Sequence, residues 1–321
     1  MSEELYPLLL QPVFKDYIWG GERLKTDFGK ETDISPLAES WELACHKDGV
    51  NIIRNGKYAG WPLDKFLKEH PEALGENATS PELPILVKLI DARDDLSIQV
   101  HPNEEYAQRV EGEHGKTEMW YILDCEPGAS IIFGLKKTVT KEELRERIAN
   151  NTLTDITNRV PVRKDDVYFI EAGTIHAIGK GIVIAEVQQN SNVTYRVSDY
   201  GRIGKDGKPR PLHIEKAVDV INLNRICAPK TECNIIKKEG LKMSLLLQCE
   251  HFTTKNVEVN GVSKVILGRR SFTHLLCTAG CGKLQHGDEE LSFTKGTSIF
   301  IPAGIHSITL PGNVSLIVTS A

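Results

Sequence analysis

Residues 96–101 read LSIQVH, and their chemistry lies in an alternation: Ser97, Gln99 and His101 fall between Leu96, Ile98 and Val100. Successive side chains of a β-strand point to opposite faces, so a strand here carries one polar face and one apolar face. Glu118 opens a second strand-like run, EMWYILD, and His176 follows the glycine turn of AGTIHAI. Two imidazoles, one carboxylate and one amide oxygen make a donor set for a single divalent cation, with room left for water or a substrate. Buried without partners these groups would cost roughly 1–3 kcal/mol each, and a cation that satisfies them together removes the conflict. Because the set holds only one anion, a bound dication keeps net positive charge and favours an anionic intermediate.

Each of these residues, taken singly, also reads as an ordinary hydrogen-bonded core or surface side chain, and it is the set that argues for a metal. His46, His70, His114, His213, His251, His274 and His286 lack neighbouring donors at alternating positions.

The elements that must position the set are mostly strands. PILVKLID, LSIQVH, EMWYILD, ASIIFG, DVYFIEA, GIVIAEVQQ, SLLLQ, THLLCT, TSIFIPAG and VSLIVT are short apolar or alternating runs separated by Gly, Pro and Asp, the signature of a β-sandwich or barrel. Helical patterns are fewer. Thr140 stands three residues before Glu143 in TVTKEELRERIANN, a capping-box spacing, and PLHIEKAVDVINL has apolar residues at helical intervals. WPLDKFLKEHPEAL reads as a third helix, on the surface. DDVYFIEAGTIHAI repeats as GTSIFIPAGIHSI, aligned at Gly173 and Gly304 with the histidine one residue sooner in the second copy. Two copies of one strand–turn–strand unit imply two barrels in tandem. In the second copy His306 repeats the turn, but Phe272 stands where the first has Glu118, so that barrel is expected to bind no metal.

With 321 residues, 40% hydrophobic and 26% charged, the chain has the make-up of a globular protein of one large or two moderate domains. A formal charge of −5 provides no general field for nucleic acid or an anionic membrane, so any phosphate must be met by local cations. The acidic start MSEELYPLLLQ has too short an apolar run for a signal peptide or a membrane span, and a cytoplasmic location is expected. Seven cysteines without a CxxC spacing argue against a disulfide framework and against a thiolate zinc site.

The AG turn that aims a histidine resembles the second signature stretch of the cupin superfamily. LSIQVHP, GKTEMWYIL, AGTIHAIG, EVQQNSNVTYRVSDYGR and the opening QPVFKDYIWGG, in this order and spacing, resemble type I mannose-6-phosphate isomerase, particularly its short bacterial class. The resemblance runs from about Pro12 to the C-terminus and is densest over 84–220. It implies a mainly β fold of tandem cupin (double-stranded β-helix, jelly-roll-like) barrels with a few peripheral helices. A catalytic domain is expected over 1–235 and a metal-free cupin-like domain over 236–321, the latter in a structural role. It further implies one zinc ion per chain on Gln99, His101, Glu118 and His176, and interconversion of mannose 6-phosphate and fructose 6-phosphate. The segment near 140–150 is far shorter than the helical domain of the long class.

Aldose–ketose isomerisation needs ring opening and proton transfer between C2 and C1 through an enediol or enediolate, hence a base, an electrophile and a cation for the phosphate. Glu186 is the favoured base, since it interrupts the apolar run IVIAEVQQ and shares a face with Ile184 and Gln188; its plainer reading is a strand-end carboxylate in solvent. Asp199 is the alternative base. Arg196 matches the essential arginine of the resembling family and could stabilise the enediolate or orient the substrate. Ser97, Lys116 and Arg202 are candidates for one phosphate-binding rim. Lys88, inside PILVKLID, must snorkel, pair or reach a site; Trp19 is an aromatic plug or a cover over the entrance, and Tyr195 is read as packing. Two other readings remain open: a cupin oxygenase using iron, and a noncatalytic sugar-binding cupin. No nucleic-acid or membrane partner is expected, and the oligomeric state is left open.

Overall fold

The computed structural model describes residues 5–204, 207–226, 234–238, 240–287 and 289–321. Strands are labelled in chain order. The first part of the chain contributes β1 (Leu8–Gln11), β2 (Val13–Lys15), β3 (Glu39–Leu43), β4 (Ile85–Ala92), β5 (Ile98–Val100) and β6 (Glu118–Cys125). It continues with β7 (Ser130–Leu135), β8 (Thr157–Pro161), β9 (Val167–Ile170), β10 (His176–Ala177), β11 (Ile182–Gln189) and β12 (Tyr195–Ser198). The later part contributes β13 (Leu241–Gln248), β14 (Thr253–Ile266), β15 (Thr273–His286), β16 (Ser298–Ile301) and β17 (Ser307–Ser320).

A six-stranded sheet in the order β9-β6-β11-β4-β3-β2 and a five-stranded sheet in the order β8-β7-β10-β5-β12 form the first barrel. Alternation along the strands decides what lies where. Ile90, Trp120, Ile122, Ile182 and Ile184 of the first sheet meet Ile131, Phe133 and Ile178 inside the barrel. The opposite face of the same sheet, with Val87, Leu89, Met119, Tyr121, Val183, Ala185 and Val187, packs on Leu8, Phe272, Leu276, Phe300 and Ile317 of the second sheet system. Ile98 and Val100 point outward, into a layer with Leu144 and Ile148 of one helix (Lys141–Ala149) and Ala217 and Val218 of another (Ile214–Val220). The polar stripe Ser97, Gln99, His101 is thereby turned into the barrel. Leu96, just before the strand, joins the interior cluster instead. Thr140 caps its helix as the spacing predicts, its side chain accepting from the Glu143 N–H.

The second barrel is built on a nine-stranded sheet in which β13, β14, β17, β15 and β16 are successive neighbours. Its membership differs from a cut at residue 235. Leu8, Leu9 and Leu10 of β1 pair with Phe300, Ile299 and Ser298 of β16, so the N-terminal strand completes the C-terminal sheet and covers an edge that would otherwise be open. The segment WPLDKFLKEHPEAL also departs from its surface assignment. Its helix spans Leu63–Glu69 and is followed by a 3₁₀ turn at Pro71–Leu74, with Leu63, Phe66, Leu67 and Leu74 buried in the core shared by the two sheet systems. The repeated glycine turn is present in both halves, Gly173 at φ 87° and Gly304 at φ 93°, a backbone region that favours glycine. No helix among the described residues is long and apolar enough to cross a membrane.

Candidate metal centre

His101 follows the end of β5, His176 starts β10 and Glu118 starts β6, and the fold brings all three to one point. Their nearest ligand atoms are 3.1 Å (His101 Nε2 to His176 Nε2), 3.3 Å (His176 Nε2 to Glu118 Oε1) and 3.5 Å (His101 Nε2 to Glu118 Oε2) apart. Exposure is at most 1% for each. The partners of the other ring nitrogens fix the tautomers. His101 Nδ1 lies 2.8 Å from the Val193 carbonyl and His176 Nδ1 lies 2.8 Å from the Thr174 carbonyl. A carbonyl only accepts, so both Nδ1 atoms donate and both Nε2 atoms present lone pairs to each other. Glu118 Oε1 has no hydrogen-bond partner, and Oε2 is met by the Lys116 ammonium at 3.0 Å. Lys116 answers His101 Nε2 and Glu118 Oε2, but no proton separates His176 Nε2 from His101 Nε2 or from Glu118 Oε1, and these acceptors repel unless a cation lies between them; this is the observation that fits a metal to the site. Among the described residues no other cluster of His, Cys, Asp or Glu has this geometry. Gln99 pairs with His176 across the ladder, and its amide comes within 3.5 Å of His176 Nε2.

Burial sets the electrostatics. It holds the His101 imidazole well below its usual range, with Lys116 adding to the effect, and pushes His176 down to about 4. It pushes Glu118 up to about 7, against the pull of Lys116, whose ammonium stands 3.0 Å from Oε2. Glu186 goes the other way. Burial alone would raise its carboxyl, but Lys88 at 3.1 Å, the charge of Lys116 and the Trp120 indole N–H at 2.8 Å outweigh it and lower the pKa to about 2. Lys88 is in turn raised: burial opposes its charge, and Glu186 and Glu39 more than compensate. A group lowered on folding stabilises the folded state above its ordinary pKa and loses that contribution as pH falls through the folded value. The difference in urea midpoint between the wild type and Glu186→Gln is therefore expected to be largest near neutrality and to narrow as pH drops below about 4.5. A gap independent of pH would show that the ion pair is not its source.

A cavity of about 280 Å³ adjoins the cluster, lined by Trp19, Lys88, Ser97, Gln99, Lys116, Glu186 and Arg196 among others. Seven of the side chains singled out in the sequence thus share one wall. Lys116, two residues before the strand that Glu118 opens, is only 4% exposed and touches His101 and Glu118, so it lies at the centre and not on a rim. Trp19 is buried and stacks on Tyr17, which also lines the cavity. Tyr195 packs in the helix-side core, its hydroxyl on Glu111. Asp199 and Arg202 fall outside the cavity lining. The Asp199 carboxylate is taken up by Arg202 and Arg210, which hold it below its ordinary range despite burial. Arg210 occupies the wall in place of Arg202. The sequence reading also passed over Tyr17, Glu39, Asn192 and Thr194. Tyr17 lies within QPVFKDYIWGG and Asn192 and Thr194 within EVQQNSNVTYRVSDYGR, and Glu39 is signalled by its alternation with Trp41 in ESWEL. In the second barrel Phe272 is a core residue against Phe300, and exposed His306 bonds with Arg269.

Comparison with known proteins places this geometry in a lineage. The catalytic-domain model of type I phosphomannose isomerase matches residues 8–133, and the cupin-domain model of mannose-6-phosphate isomerase matches 242–321. A mannose-6-phosphate isomerase of Streptococcus mutans is 37% identical over 97% of each chain. The chain belongs to the type I phosphomannose isomerase family. A further member, a mannose-6-phosphate isomerase of Bacillus subtilis, is 38% identical over 98% of each chain. The crystal structure of a mannose 6-phosphate isomerase from Bacillus subtilis superimposes with a TM-score of 0.93 at 34% identity, covering 98% of this chain and 99% of that one. The tandem cupin architecture expected for a phosphomannose isomerase of the short class is the architecture found.

Proposed function

We propose that the chain interconverts mannose 6-phosphate and fructose 6-phosphate in the cavity beside the cluster, with one zinc ion held by Gln99, His101, Glu118 and His176. The observation that carries this reading is the pair of facing imidazole lone pairs beside Glu118 Oε1, which has no donor of its own, next to a cavity lined by four cationic side chains: Lys88, Lys116, Arg196 and Arg210. The amide nitrogen of Gln99 faces the His176 Nε2 lone pair, and a half-turn about its terminal bond would bring the oxygen round as the fourth donor. When bound, zinc supplies Lewis-acid stabilisation of negative charge on the sugar oxygens.

The remaining chemistry rests on the chain's own side chains. Glu186 is ionised at neutral pH and accepts the C2 proton, then returns it to C1. So weak a base works only where the enediolate charge is stabilised elsewhere, and the surrounding cations provide that field. Arg196 has a buried Nε with no hydrogen-bond partner, while its Nη1 donates to the Pro211 carbonyl at 3.0 Å, leaving donor capacity for a substrate oxygen. Arg210 and Ser97 meet the phosphate, Lys116 adds its charge beside the cluster, and Trp19 closes the apolar side. Arg196→Ala is expected to retain metal and to weaken phosphosugar binding about 10–100-fold, the value of one or two charge-assisted bonds; titration with mannose 6-phosphate checks it, and unchanged affinity would remove Arg196 from the substrate.

The amide donor and the cation-rich wall argue against an iron oxygenase, and a carboxylate poised beside the cluster argues against a purely sugar-binding role. Described cysteines 45, 125, 249, 277 and 281 are all unpaired, in keeping with a cytoplasmic location. Following fructose 6-phosphate formation from mannose 6-phosphate by the purified protein tests the reading: turnover supports it, and metal-loaded protein that binds the sugar phosphate without converting it would leave a binding module.

A further inference from the structure

β3 has two faces with different surroundings. Glu39 lines the cavity, whereas Ser40 and Glu42, both fully buried, meet groups near or within the second barrel. In the ladder with β4, Glu39 pairs with Ile90, Ser40 with Leu89 and Trp41 with Lys88, after which the register slips and Leu43 pairs with Val87. Glu42 is the residue left without a partner in that ladder. Its carbonyl accepts the Ser298 hydroxyl, at 2.5 Å, from β16 of the second barrel. A serine hydroxyl has one proton, so the 2.8 Å contact between Ser298 Oγ and His274 Nε2 has the imidazole as donor. Lys30 ties the two barrels from the other side, 2.6 Å from Glu42 Oε1 and 2.6 Å from the Gly296 carbonyl, with Ser40 donating to the same Oε1.

Bulges in a ladder re-aim the side chains beside them. Next to this one, the Trp41 indole N–H donates to Glu39 Oε2 at 2.7 Å, and that oxygen stands 3.7 Å from the Lys88 ammonium paired with Glu186. We propose that Ser298 and His274 of the second barrel are positioning residues for the cavity: by satisfying the bulge at Glu42 they fix Trp41 and Glu39, and through Glu39 the placement of Lys88. The second barrel thereby contributes to turnover without touching substrate. This rests on the isomerase reading for its kinetic consequence, though not for its geometric one.

The test uses Ser298→Ala, Glu39→Gln and their combination in the full chain. Ser298→Ala is expected to retain metal and lower kcat roughly tenfold with little change in KM, as a small misplacement of a catalytic group does. In the Glu39→Gln background the same substitution should have no further effect, since the two act along one line. A readout independent of turnover comes from the indole N–H resonances of the four tryptophans: the resonance that Glu39→Gln displaces, that of Trp41, should also move in Ser298→Ala. If Ser298→Ala does not fold, His274→Phe, which removes only the donor to the hydroxyl, carries the same measurements. Unchanged kcat in folded Ser298→Ala, additive losses in the double variant, or an unmoved Trp41 resonance would each overturn the proposal. A wild type without turnover would instead sink the isomerase reading, leaving the Trp41 resonance to decide the positioning.

Discussion

His101→Ala is expected to lose the metal and, with it, turnover. His101 contributes one of two imidazole lone pairs at the cluster, and its Nδ1 is already committed to the Val193 carbonyl, which fixes the ring. Alanine leaves Glu118 and His176 as the only strong ligands, and losing merely a hydrogen-bond partner of a ligand typically costs about 10–100-fold in affinity, so losing a ligand should cost roughly 100-fold or more. Metal analysis after gel filtration should fall from one equivalent toward zero, and activity should fall in proportion. The fold is expected to survive, because the hydrophobic layers on either side of its strand do not involve His101. A variant that keeps its metal and its activity would show that the cluster is not the binding site.

Glu186→Gln separates chemistry from binding. Glu186 sits on β11 opposite Trp120 of β6 and Lys88 of β4, so glutamine preserves the shape and keeps an acceptor for the Trp120 indole while removing the proton acceptor. Metal content should stay at that of the wild type. A general base is worth about 10²–10⁴-fold, and a loss of kcat in that range is expected with a much smaller change in KM. Stopped-time assays of both variants at saturating mannose 6-phosphate check it. Normal turnover would take Glu186 out of the base role, and Asp199 could not inherit it, clamped as it is by two arginines outside the cavity.

Local pattern made the metal donors legible and long-range geometry hid the rest. Ser97, Gln99 and His101 declared a shared face because strand alternation is a property of the chain itself, and the glycine turn before His176 is equally local. Lys88 and Glu186 were conspicuous as charges in apolar runs; only the pairing of β4 with β11 makes them a mutual ion pair. Arg202 lies three residues beyond Asp199 and Arg210 eleven, and nothing local says which one the carboxylate directs into the cavity wall. The fit of Leu8–Leu10 against Ser298–Phe300 spans almost the whole chain, and no local periodicity encodes it. The helix at Leu63–Glu69 reads as surface for the same reason: its pattern shows an apolar stripe, but not that a second barrel waits to cover it.

The most direct measurement is a zinc titration of metal-free protein with mannose 6-phosphate turnover as the readout. Activity absent at the start, rising linearly and breaking at one zinc per chain, is the expected result. Full activity in protein verified to contain no metal, or recovery that continues well past one equivalent, would contradict a single catalytic ion on Gln99, His101, Glu118 and His176.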